Sequence, residues 1–195
     1  MPTVNEKSRG YQKIATAARA LGVDFRGQTV LDIGSSTGGF TEYVLERGAT
    51  KVIAVEKGTD QMRSPLRLDR RIELHEKTDI FDFRLTAPPD TILIDISFLS
   101  LTKILKYASM HLTGPDTQLL AMLKPQFEAH PRDLAKGIVK NEKIRRDLIK
   151  NFEIWLKNNN FVILGKRDNA LSGRFGNTER FYHLTPIARG KIRPA

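Results

Sequence analysis

Cysteine is missing from the 195 residues altogether. Its absence excludes disulfides, thiolate zinc sites and a cysteine nucleophile, no other metal site is read from the residues, and the chain fits a reducing cytoplasm. Nor is there an apolar run near the roughly 18 residues that a membrane span needs. Met1 to Lys7 lack the apolar centre of a secretory signal, so no stable membrane association is expected. Internal repeats, low-complexity tracts and linkers are absent too. A single unit over 10–195 is expected, large enough to bury a core, preceded by residues 1–9 as a polar mobile arm. Acids are in deficit: 22 Asp and Glu face 32 Lys and Arg, a formal charge of +10. Such a surface favours polyanions, most simply nucleic acid, over a membrane. Arg63, Arg67, Arg70 and Arg71 form one candidate footprint, and Lys140, Lys143, Arg145 and Arg146 another.

What the sequence does contain is organised around Thr29 to Phe40. Val30-Leu31-Asp32-Ile33 reads as a strand buried on both faces. A glycine turn follows and opens into a helix over 40–47, with Phe40, Val44 and Leu45 on one face and Gly48 as its stop. Strand, glycine turn and helix start suit a ligand that needs close backbone approach. The spacing is Gly34-x-x-x-Gly38-Gly39, with Ser36 where a dinucleotide fold places its second glycine. A pyrophosphate fits this poorly. Asp32 puts a carboxylate at the mouth, which suits a cation carrying an ammonium or a sulfonium; S-adenosylmethionine (AdoMet) carries both. The next strand, Lys51 to Glu56, ends in an acid spaced to hold ribose hydroxyls.

Further strands are expected over 72–75, 91–96, 118–123, 161–165 and 180–184, with helices over 11–21, 101–112 and 142–158. Alternating strands and helices imply an α/β, doubly wound and mostly parallel sheet. Its seven strands would end with an antiparallel one, because no helix separates the last two. That is the Rossmann-like arrangement of AdoMet-dependent methyltransferases.

Ligands of such sheets bind beyond the carboxyl ends of the strands, where Gly34, Glu56, Asp95 and Lys124 fall. Asp95 interrupts an apolar strand. Lys124 follows one, and a lysine held there is partly desolvated; it tends to shed its proton unless an acid holds it. Without cysteine, methylation at cytosine C5 is excluded. The Asp95-Ile-Ser-Phe98 stretch lacks the Asn/Asp-Pro-Pro-Tyr that goes with exocyclic amines. A hydroxyl acceptor remains, and a ribose 2′-hydroxyl needs orientation and removal of a proton.

Several stretches together resemble the FtsJ-type ribose 2′-O-methyltransferases, nearest to the hemolysin A branch. They are Ser8 to Lys13, Leu31 to Thr41, Ile94 to Phe98, Leu123 to Glu128, Lys136 to Val139 and Gly176 to Glu179, in the family's order. The resemblance implies a Lys-Asp-Lys-Glu catalytic set at Lys13, Asp95, Lys124 and Glu179. It implies AdoMet as cofactor, with Asp32, Gly34, Ser35, Ser36, Thr37, Gly38, Gly39, Phe40, Glu56, Lys57, Asp79, Ile80 and Asp95 as the residues around it. It also implies RNA as partner, ribosomal RNA or an assembled subunit. Members of that branch usually carry an N-terminal S4-type RNA-binding domain before the Ser-Arg-Gly segment, and this sequence starts almost at that segment. A membrane-active hemolysin and an inactive RNA-binding module of the same fold are the alternatives.

Overall fold

The computed structural model describes residues 7–169 and 176–187. Seven strands form one sheet: β1 (Thr29–Ile33), β2 (Lys51–Val55), β3 (Ile72–His75), β4 (Thr91–Ile94), β5 (Gln118–Leu123), β6 (Phe161–Asp168) and β7 (Arg180–Pro186). Their order is β3-β2-β1-β4-β5-β7-β6. The first five pair in parallel, and β7 runs antiparallel to both β5 and β6. The helices are α1 (Arg9–Leu21), α2 (Gly39–Glu46), α3 (Ser64–Arg67), α4 (Leu101–His111), α5 (Pro125–Glu128) and α6 (Glu142–Asn158).

Side chains alternate across the sheet, as strand geometry requires. Leu31, Ile33, Ile92, Ile94, Leu119 and Leu123 pack beneath α4 and α6. Val30, Val52, Leu93, Leu120, Met122 and Phe181 pack beneath α1 and α2. By the same parity Asp32 points toward α2.

Helix α1 begins two residues before the expected Tyr11. Ser8 caps it, its hydroxyl accepting from the Tyr11 amide, and Gly22 closes it at φ 66°. Lys7 pairs with Glu42 at 3.0 Å and with Glu46. The chain is thus tied down from Lys7, inside the span read as a mobile arm; residues 1–6 lie outside the described residues. The tie depends on two glycines. Gly10 sits against Gly39, and a Cβ on Gly39 would come within 2.5 Å of Ser8 Oγ, 2.8 Å of the Tyr11 amide nitrogen and 3.1 Å of the Gly10 carbonyl carbon.

The boundaries of β4 and β6 differ from the expected ones for identifiable reasons. β4 stops at Ile94, because the chain leaves the sheet there to wrap over Gly34: a Cβ on Gly34 would lie 2.8 Å from the Asp95 carbonyl. β6 runs on to Asp168 through a register shift between Ile163 and Gly165. Gly165 leaves room there for the Leu21 side chain.

The glycine contact yields a stability prediction. Gly39→Ala must push α1 outward, since two of the three nearest atoms are backbone. Overpacking of this kind costs about 1–3 kcal/mol, and each kcal/mol lowers Tm by roughly 2–4 °C in a chain of this size. Thermal denaturation should show that fall; an unchanged Tm would mean that α1 can shift freely.

Candidate active site

A cavity of about 620 Å³ opens beyond the carboxyl ends of β1, β2 and β4. Seven of the expected residues line it: Gly34, Ser36, Glu56, Lys57, Asp79, Ile80 and Asp95. Glu56 braces the glycine turn. Its carboxylate accepts from the Ser36 amide at 3.0 Å and the Gly58 amide at 2.6 Å. These bonds hold Ser36 at φ 46°, a left-handed conformation that suits glycine better. The Gln61 side-chain amide donates to the same Glu56 carboxylate at 3.5 Å. A carboxylate has about four acceptor positions, so one remains for a hydroxyl. Lys57 pairs with Asp79 at 2.9 Å on the same rim.

Ser35, Thr37, Gly38, Gly39 and Phe40 do not line the cavity. Gly38 abuts Met62 and Leu66, Gly39 meets α1, and Phe40 packs 6.1 Å from the Phe181 ring. Their work is to set the turn. Asp32 differs most from expectation. It lies beneath the turn at 0% exposure instead of at the mouth. The Thr41 hydroxyl donates to Oδ2 at 2.6 Å, while Oδ1 is buried with no partner among the described residues. Burial pushes the carboxyl up to about 7; the Thr41 hydroxyl opposes this and the charge of Asp95 adds to it.

The other lining residues were not singled out as ligand contacts. They include Gln61, Thr78 and the stretch Ile96 to Leu99. Gln61 accepts from the Ser36 hydroxyl at 3.0 Å. Phe98 is 87% exposed at φ 69°, with its ring centroid 5.3 Å from that of Phe127. An exposed ring in that backbone conformation was a signal in plain view, but its φ is not legible in a sequence.

The second wall of Asp95 faces the other expected residues. Lys124 Nζ pairs with Asp95 Oδ1 at 2.5 Å and donates to Ser97 Oγ at 3.0 Å. Ser100 caps α4 with its own hydroxyl, and Glu128 accepts from the Leu101 amide, which frees Asp95 from any capping duty. Lys13 Nζ pairs with Glu179 Oε2 at 2.6 Å, the two side chains 11% and 4% exposed. Asn169 donates to the same carboxylate oxygen at 3.2 Å. The pairs are neighbours. β5 and β7 are last registered at Leu123 and Arg180, and Lys124 and Glu179 come one step further on. Asp95 therefore separates a cavity that suits a cation from a cluster of two lysine–acid pairs.

A sequence model of FtsJ-like methyltransferases matches residues 7–185. The chain belongs to that family. Bacillus subtilis YqxC, provisionally named an rRNA methyltransferase, is 35% identical over 185 residues, covering 91% of this chain and 64% of YqxC. Campylobacter jejuni TlyA, named a 23S rRNA (cytidine-2′-O)-methyltransferase, is 32% identical over 179 residues, covering 90% of this chain and 69% of TlyA. A solved structure from Streptococcus thermophilus, provisionally named a hemolysin, superposes with a TM-score of 0.87 at 32% identity. The alignment covers 93% of this chain and 67% of that one. The chain thus spans about two thirds of the length of these relatives. Among the described residues, no helix is long and apolar enough to cross a membrane.

Three of the four arginines of the first basic footprint are ion-paired. Arg63 pairs with Glu42 at 2.5 Å, Arg67 with Glu76 at 2.7 Å, and Arg71 with Asp69 at 2.7 Å. Arg67 holds the Glu76 carboxyl down at about 2. Most of that charge is already matched within the protein.

Asp32 gives a prediction with a definite sign. Its folded pKa lies above the roughly 3.9 of an unfolded aspartate, so folding takes up a proton. The stability it contributes is full below about pH 4 and is lost as pH rises through about 7. Asp32→Asn keeps the shape without the titration. The difference in urea midpoint between Asp32→Asn and the natural protein should change between those pH values and level off above them. A constant difference would show that Asp32 does not titrate there.

Proposed function

We propose that the protein is an AdoMet-dependent RNA methyltransferase that modifies a ribose 2′-hydroxyl, with ribosomal RNA as substrate in the cytoplasm. The observation that carries this reading is the position of Asp95, which lines the cavity and grips Lys124 at 2.5 Å. The cavity fits the cofactor: Gly34 lets the chain after β4 close over the turn and bring Asp95 to the wall, Glu56 keeps a free acceptor position, and buried Asp32 keeps an unpartnered oxygen beneath the turn. Gly34 and Asp95 would hold the methionine end, Glu56 the ribose, and Asp79 and Ile80 the far end. AdoMet supplies a methyl group on a sulfonium when bound.

The protein's own residues position the acceptor. Lys124 orients the 2′-hydroxyl and takes its proton; to do so Nζ must first give one up, and Asp95 is the acceptor within reach at 2.5 Å. Glu179 holds Lys13, whose charge steadies the acceptor ribose. Phe98 offers an exposed ring at the lip on which a base can stack. The activity in the name of the Campylobacter relative, methylation of a cytidine 2′-oxygen in 23S rRNA, supports the ribose assignment.

Positioning and proton removal are separable by substitution. Lys124→Arg keeps the charge but cannot shed its proton. We expect both Lys124→Ala and Lys124→Arg to bind AdoMet normally and to lose at least about a hundred-fold in rate, the usual scale for a general base. The assay follows tritium from AdoMet into ribosomal RNA or assembled subunits, and locates the product by resistance of one phosphodiester to alkali. Near-normal transfer by Lys124→Arg would show that charge alone is used, and methyl found on a base would overturn the reaction class. Glu56→Ala should weaken AdoMet about ten-fold or more, the effect of a lost charged hydrogen bond; calorimetry reads this directly.

A further inference from the structure

The two basic footprints differ in a way that composition cannot show. In the first, Arg63, Arg67 and Arg71 are all ion-paired. In the second, Lys140, Lys143 and Arg146 are exposed and form no ion pair among the described residues; Lys150 and Lys157, further along α6, share this condition. Lys143, Lys150 and Lys157 recur every seven residues and so share one face, in steps of about 10.5 Å along the axis. Arg146 lies beside them; the exposed acids of α6 are Asp147 and Glu142, and Glu142 is paired with Arg145 at 3.0 Å.

The amino end of α6 adjoins the lysine–acid cluster. A second cavity, of about 380 Å³, is lined there by Pro125, Lys140, Glu142, Arg145, Asn177 and Thr178 among others. Pro125 follows Lys124, and Thr178 precedes Glu179. Arg145 Nε donates to Glu142 at 3.0 Å, but its Nη1 is buried with no partner among the described residues. A buried guanidinium N–H without an acceptor is costly, and a phosphate oxygen entering between Lys140 and Arg145 would supply one.

We propose that this cavity and the exposed face of α6 form a track for the backbone phosphates of the RNA strand flanking the methylated nucleotide. The track starts beside Lys124 and continues along Lys143, Arg146 and Lys150. It rests on the RNA methyltransferase reading above and adds the place and direction of the strand. The contacts are to phosphates, so they position the strand without reading its sequence.

The test uses fluorescence anisotropy of a labelled single-stranded oligoribonucleotide over a series of salt concentrations. The double variant Lys143→Gln/Lys150→Gln is compared with Lys103→Gln/Lys106→Gln, two exposed cations on α4 with no ion pair among the described residues. Each lost phosphate contact in a single strand lowers the salt slope by about 0.7. The α6 double should therefore lower it by about 1.4 and weaken binding roughly ten-fold or more at 0.1 M salt. The α4 double should leave slope and affinity as they were, and both should bind AdoMet normally by calorimetry. Equal losses from the two doubles would show that only net charge counts and would overturn the track. So would an α6 double that binds RNA like the natural protein while tritium transfer to ribosomal RNA persists, which leaves the enzyme reading standing. A natural protein that neither binds RNA nor transfers methyl at any salt overturns both.

Discussion

Between Asp95 and Lys124, an ion pair bridges the ends of two strands at a point where the sheet no longer does. Ile94 is the last paired residue of β4 and Leu123 of β5, and each charged side chain comes one residue later. Both are largely withdrawn from water, at 20% and 9% side-chain exposure. Desolvation offsets much of what such a pair gains by attraction, and apolar replacements are often as stable. Stability is thus a weak reason for this pair. Geometry is a better one: the pair holds a carboxylate against the cavity and an ammonium beside the Lys13–Glu179 pair at a fixed separation. The same holds for Lys13 and Glu179, where the carboxylate is more deeply buried than that of Asp95 and Asn169 adds a second donor to it.

Lys13 reaches Glu179 only because α1 lies close on α2. That closeness comes from Gly10 and Gly39, which meet without side chains between them, and from Ser8, which caps α1 within 2.5 Å of where a Gly39 Cβ would stand. The Ser-Arg-Gly segment is thereby explained physically, as a cap followed by a contact glycine. The turn has a similar economy. Gly34 lets the chain after β4 pass over it and Gly38 clears Met62 and Leu66, so the glycines arrange the walls that Glu56 and Asp95 line.

Much of this was legible in the sequence because it follows from period and punctuation. The strands declare themselves by short apolar runs, and the turn by Gly34, Gly38 and Gly39. Asp95 and Lys124 stand out because a charge at the end of an apolar strand is unusual. Lys13 and Glu179 lack that signal. Read locally, each is an ordinary charge on a helix or at a strand end, and their burial arises from a contact between the first helix and the last strand. Only the resemblance marked them. Asp32 reads from sequence as an acid at the mouth of the site, but strand parity sends it under α2. The arginines of 63–71 show the remaining limit: composition counts charges, and only the fold shows that Glu42, Glu76 and Asp69 already match them.

The distribution of charge then sorts the two ligands by sign. The chain as a whole carries +10, yet Asp32, Glu56, Asp79 and Asp95 gather in or beneath one cavity, where Lys57 matches Asp79 and Lys124 matches Asp95 while Glu56 pairs with no cation among the described residues. Acidic walls attract a sulfonium and repel phosphate at short range, where a partly desolvated site screens charge weakly. The basic exterior does the reverse. A polyanion drawn to the surface thus meets an electrostatic barrier at the cavity mouth. Only an uncharged part of it, such as a ribose hydroxyl, approaches Asp95 without penalty. Lys124 and Lys13 stand at that boundary, each tied to an acid, so the change of sign falls where the proposed reaction would have the acceptor oxygen stop.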